Sequence, residues 1–133
     1  MEGARGRTSK GRLNQIFATG RGVFWKPMPV AALTLELRIE HAQSLKDRRQ
    51  VVRSLKEKLG HGFNISVAEL DEAVTWQSAT LGVAAISGSR DYLTGQMQQI
   101  ENAAVRIAND LGASVADCWW EFLEPPSTRE DEN

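Results

Sequence analysis

Ser44 through Gly60 reads SLKDRRQVVRSLKEKLG, one amphipathic helix with its own start and stop signals. The Ser44 hydroxyl suits the free N–H groups of a first helical turn, and Asp47, three residues on, stands where a capping box would place Glu. Leu45, Val52, Leu55 and Leu59, joined by Val51, fall on one side of a helix that turns about 100° per residue. Gly60 offers the left-handed residue that ends a helix, and Gly62 a further break. One position of the apolar stripe, 48, is Arg. Lys46, Arg48, Arg49, Arg53, Lys56 and Lys58 are set against only Asp47 and Glu57, so the segment is strongly cationic.

Working outward, Val30–Ile39 (VAALTLELRI) alternates strictly, with Leu33, Leu35, Leu37 and Ile39 on one face and Thr34, Glu36 and Arg38 on the other. Period two with one polar face is a half-buried strand. Asn64–Glu72 (NISVAELDE) is a second strand with Phe63, Ile65 and Val67 inward, either straight or bulged before its acids. A polar connector with Trp76 and Gln77 leads to Thr80–Ser87 (TLGVAAIS), apolar on both faces as a central strand should be. Leu93, Met97, Ile100, Ala104, Ile107 and Leu111 then step by four and three, a helix capped by Ser89 or Asp91 and closed by Gly112. Ser114–Leu123 (SVADCWWEFL) is the last strand, with Ala116, Cys118, Trp120 and Phe122 alternating inward. The order is strand, helix, strand, strand, helix, strand. It predicts an α+β, ferredoxin-like βαββαβ sandwich: one four-stranded antiparallel sheet, order 4-1-3-2, with two helices on one face.

The chain has 133 residues, 41% of them hydrophobic, which fits one globular domain with tails. No apolar run nears the ~20 residues of a membrane span, so no membrane is expected as partner. The single cysteine, Cys118, excludes an intrachain disulfide and fits a reducing, cytoplasmic setting. Residues 1–27 hold six basic residues and one acid. They read as a disordered basic arm, as a targeting segment lacking a secretory apolar region, or as sequence upstream of a natural start at Met28. The sandwich is expected over 28–124, and 125–133 as an acidic disordered tail. Away from the basic helix the core domain and tail are acidic, so any nucleic-acid contact is focused on that helix.

Catalytic constellations are thin. His41, His61 and Cys118 lack metal-ligand spacing, and no Gly-rich phosphate loop or nucleophile elbow is present. No metal and no cofactor are expected. Glu69, Asp71 and Glu72 read as a solvated turn. Lys46, Arg49 and Arg53 fan across one side of the helix, where several phosphates could be met without base reading. Arg48, inside the apolar stripe, must reach past the sheet edge or pair with an acid such as Asp47, Glu40 or one on another subunit. The first and third strands lack aromatic residues, which removes the base-stacking mode of many single-strand RNA modules. The outer sheet face combines Thr34, Ala68, Leu70, Ala84, Ile86 and Trp119, too apolar for a solvent face, and predicts a homodimer through it.

The residues LxLELRI at 33–39, SLKDRRQVVRSLKEKL at 44–59, FNISVAELD at 63–71 and WQSATLGVA at 76–84 resemble the YlxP-like family of small bacterial proteins. The resemblance covers about residues 28–123 and implies a ferredoxin-like fold, a start at Met28 and no assigned enzyme activity. Its genes commonly neighbour those of a translation initiation factor and a ribosome-maturation factor, which implies a ribosomal or RNA role. Ser78 departs from the basic residue often found there. The expected function is a non-enzymatic, cytoplasmic accessory protein of translation or ribosome maturation. It would contact ribosomal RNA or a ribosomal subunit through Lys46, Arg48, Arg49, Arg53 and Lys56, with Trp76 and Gln77 of the hairpin. The competing expectation is a dimeric small-molecule regulatory domain of the ACT type. An acylphosphatase-like hydrolase is disfavoured because no Arg-bearing, Gly-rich loop follows the first strand.

Overall fold

The computed structural model describes residues 28–123. The expectations for the basic extension 1–27 and for the acidic tail lie outside the described residues. Six elements follow in the expected order: β1 (Val30–Arg38), α1 (Leu45–Gly62), β2 (Ser66–Glu69), β3 (Ser78–Ile86), α2 (Arg90–Asp110) and β4 (Ser114–Leu123). All pairings are antiparallel in the order β2-β3-β1-β4, which from the other edge is the expected 4-1-3-2. The fold is the ferredoxin-like sandwich. Helix α1 lies over β2 and β3, and α2 over β1 and β4.

Period-two patterning builds the sheet side of the core. Leu33, Leu35 and Leu37 of β1 and Leu81, Val83 and Ala85 of β3 are buried beneath the helices. The helix side is closed by Val51, Val52, Leu55 and Leu59 from α1 and by Leu93, Met97, Ile100 and Ala104 from α2. Leu55 is fully buried, so its truncation to Ala would cost about 2–5 kcal/mol in lost transfer energy and cavity. Both helix starts are capped by serine: Ser44 Oγ accepts from Asp47 N, and Ser89 Oγ from Tyr92 N. Asp47 Oδ2 accepts from Gln43 N at 2.9 Å, one residue earlier than a capping box reaches.

Three local expectations are corrected. Helix α1 does not stop at Gly60 but runs to Gly62, with Phe63 as an extended C-cap. Gly112 closes α2 as expected, at φ +83°. Strand β2 is shorter than expected and carries no bulge before its acids, because Ser66 to Glu69 stay in register with Ala84 to Leu81. The bulge sits in β4. Glu36 pairs with Asp117 and Leu37 with Val115, so Ala116 is the extra residue and is exposed, while Val115, Cys118, Trp120 and Phe122 point inward, half-buried.

Candidate functional site

Arg48 is held inside the protein. It projects from the core side of α1 toward the strip where β2 runs out, and is 4% exposed. Because β2 stays in phase, Glu69 and Asp71 follow Val67 on the helix-facing side. Arg48 Nη1 donates to Glu69 Oε2 and Nη2 to Asp71 Oδ2, each at 2.8 Å, and Nε donates to the Ser78 carbonyl at 2.9 Å. Asp71 in turn accepts from Thr80 N through both carboxylate oxygens. A planar guanidinium forks into such a cluster as an ammonium cannot. Arg48 is thereby corrected as an RNA contact: its donors are spent on its own subunit, on partners other than Asp47 or Glu40. Glu69 and Asp71 are likewise structural acids rather than a solvated turn.

The remaining cations of α1 are available. Lys46, Arg49 and Arg53 are exposed and Lys56 half-buried, and none has a carboxylate within ion-pair distance among the described residues. At about 100° per residue they fall within an arc of roughly 80°, beside the core stripe. At about 1.5 Å per residue they extend over about 15 Å of helix. Lys58 lies off this arc. Between the stripe and the segment after β2 runs a groove of about 590 Å³, lined by Leu45, Val52, Arg49, Arg53, Lys56, Glu57 and Val74 and by the Arg48–Glu69 pair.

Val74 also borders the recess around Trp76, together with Arg38 and Gln77. Thr75 and Ser78 bridge to each other, with their hydroxyls 2.7 Å apart, so Trp76 and Gln77 form the tip of a tight turn. Trp76 is 52% exposed. Gln77 serves the fold: Nε2 donates to the Glu40 carbonyl at 2.9 Å and its own carbonyl accepts from Ile39 N, which ties the turn to the link between β1 and α1.

On the opposite face of the sheet, Ala68, Leu70, Ala84, Ile86 and Trp119 are exposed and Thr34 half-exposed. Trp120 turns inward as expected and meets the Phe122 ring edge-on at 5.3 Å, and the Arg90 guanidinium lies 3.9 Å from the Phe122 ring centre. Cys118 is half-buried and free. Burial first, then the carboxylates of Glu101 and Asp117, push its thiol up to about 11, so it stays protonated at neutral pH. Among the described residues no group of three or more His, Cys, Asp or Glu is placed to hold a metal ion. No helix among them is long and apolar enough to cross a membrane.

A family model described as "Protein of unknown function (DUF503)" matches residues 30–118, from the first residue of β1 into β4. The chain belongs to this family. Among its relatives, the uncharacterized protein YlxP of Bacillus subtilis (strain 168) is 34% identical over 62 residues, covering 47% of this chain and 67% of YlxP. The DUF503 domain also superposes at a TM-score of 0.44 on the Bacillus subtilis YXEP protein, a dinuclear metal binding peptidase of the M20 family. That match has 12% identity over 73% of this chain and 26% of the peptidase. A C-terminal segment of the α subunit of aIF2 from Pyrococcus abyssi gives 0.44 as well, with 7% identity over 80% of this chain and 56% of that segment. The chain thus spans about a quarter of the first structure and little more than half of the second, and neither likeness bears on what this DUF503 protein does.

Proposed function

We propose that this protein is a non-enzymatic, cytoplasmic accessory factor of translation or ribosome maturation that binds RNA phosphates along α1. The observation that carries the reading is the stripe of Lys46, Arg49, Arg53 and Lys56, which no carboxylate among the described residues neutralises. Everywhere else the core domain is acidic on balance, so a polyanion is repelled from most of the surface and drawn to this flank. Trp76, exposed beyond Val74 from the stripe, would supply a ring for an unpaired base to stack on. The assignment to translation rests on the gene neighbourhood that the YlxP-like resemblance implies.

The test is binding to ribosomal particles and to their extracted RNA at two salt concentrations. Phosphate-driven binding weakens by orders of magnitude between about 50 and 200 mM salt. Arg49→Glu with Arg53→Glu abolishes it in a protein whose circular dichroism is unchanged. Binding that is indifferent to both salt and charge reversal defeats the proposal and favours small-molecule recognition of the ACT type.

A further inference from the structure

The groove beside the stripe holds more than cations. Leu45, Arg49, Val52 and Lys56 step by four, three and four along α1, so apolar and cationic side chains alternate down one wall. Val74, 52% exposed, lines the groove from the segment after β2. Glu69 lines it too, with its side chain 40% exposed. Glu69 Oε2 accepts from Arg48 Nη1 at 2.8 Å, which fixes the carboxylate, while Oε1 has no partner among the described residues. Glu57, the other acid on the groove, has no side-chain partner to hold it among the described residues. A stripe that met phosphates alone would need neither the apolar wall nor a held acceptor. Phosphate contacts position a strand, and base contacts specify it.

We infer that this groove seats one unpaired guanine of a single-stranded RNA, its Watson–Crick edge on the Glu69 carboxylate and its flanking phosphates on the α1 stripe. This rests on the RNA reading above and adds a base to it. Guanine carries its N1–H and N2–H donors side by side, the pattern that an acceptor-only carboxylate takes up as a fork. Adenine and cytosine set a ring-nitrogen acceptor beside their amino group, and uracil flanks its one imino donor with two carbonyls. Each of these turns an acceptor toward the carboxylate. In a duplex the guanine edge is already paired, so the strand must be single. The aliphatic groups of Leu45, Val52 and Val74 supply the apolar surface for the base. Arg48 offsets the Glu69 charge, so the acid does not drive a polyanion out of the groove. The groove's volume of about 590 Å³ lies within the range of small-ligand pockets, about 300–1,000 Å³.

Fluorescence anisotropy of the full chain with short labelled uridine oligomers, each carrying one central G, A, C or U, tests the inference. The G oligomer is expected to bind about tenfold more tightly than the U oligomer, the worth of one bidentate base contact. Inosine at that position lacks only the 2-amino group and is expected to lose most of the gain. The analogue 7-deazaguanosine keeps the Watson–Crick edge and is expected to keep the gain. Glu69→Gln, whose amide turns a donor toward the base, is expected to erase the preference. The two analogues use the wild-type protein, so they decide the matter should Glu69→Gln fail to fold. A preference kept with inosine but lost with 7-deazaguanosine overturns the inference in favour of an arginine on the opposite edge of the base. So does a preference that Glu69→Gln keeps and Glu57→Gln removes. Equal binding of all four oligomers, weakening with salt, overturns the inference alone and leaves the phosphate stripe standing. Oligomers that fail to bind, or bind with no dependence on salt, bring down the RNA reading along with it.

Discussion

Arg48 and Asp71 meet at 2.8 Å though they lie 23 positions apart, one on a helix and the other past the end of an edge strand. The pair fastens α1 to the segment leading into the turn, since Asp71 also accepts from Thr80 N. The same arrangement takes one guanidinium out of the cationic flank and leaves four cations on it.

Arg48→Ala is expected to destabilise the fold by about 3 kcal/mol, the low end for breaking a buried pair, because Glu69 remains partly solvated and Asp71 keeps its backbone donor. Arg48→Lys recovers only part of this, having no fork to span both carboxylates. Urea unfolding of the three proteins checks the order wild type, Lys, Ala.

Gly60 and Gly112 should respond in opposite senses to alanine. Gly60 lies within α1, where a Cβ meets nothing within 4 Å, so Gly60→Ala stabilises by about 0.5–1 kcal/mol. Gly112 has φ +83°, and a Cβ there would stand 3.0 Å from His41 Cε1, so Gly112→Ala destabilises by at least about 1–2 kcal/mol. Thermal melts of the two variants, shifted up and down respectively, are the measurement.

The salt dependence of RNA binding offers a count of contacts. Each stripe cation that meets a single-stranded phosphate contributes about −0.7 to the slope of log K against log salt. Neutralising Arg49 or Arg53 singly to Gln therefore flattens the slope by about that amount, whereas Lys58→Gln, off the arc, leaves it nearly unchanged. Equal effects at all three positions would show a diffuse electrostatic cloud instead of a docking stripe.

Cys118 predicts a pH window at the alkaline end. Its thiol ordinarily titrates near 9.0 and is held to about 11 in the fold. Between these values the unfolded chain has lost a proton that the native one keeps, so stability present below pH 9 declines as pH rises toward 11. Cys118→Ala should remove this part of the alkaline decline in denaturation midpoints, and alkylation of the native wild type should remain slow at pH 8.

Elements, their order and the strand arrangement were legible in the chain because they follow from periodicity, which is local: alternation in 30–39, four-three steps in 93–111, serine before each helix. The apolar outer face and the stripe at 46, 49, 53 and 56 were legible for the same reason. Where local signals competed, the reading erred. Gly60 looked like a stop, yet the helix runs on to Gly62 and Phe63 N still donates to the Leu59 carbonyl. Ala116 looked inward until the bulge against Glu36 and Leu37 put β4 out of phase.

By itself the sequence determined an α+β sandwich and a segregated surface, since both depend on spacing along the chain. Only the tertiary structure decided which cations are available. Arg48 lies on the same helix and has the same charge as Arg49, and one step of about 100° turns it from solvent toward two carboxylates that the fold brings in from β2 and the segment beyond it. Partners that distant in sequence are chosen by packing, and no window of neighbouring residues contains them.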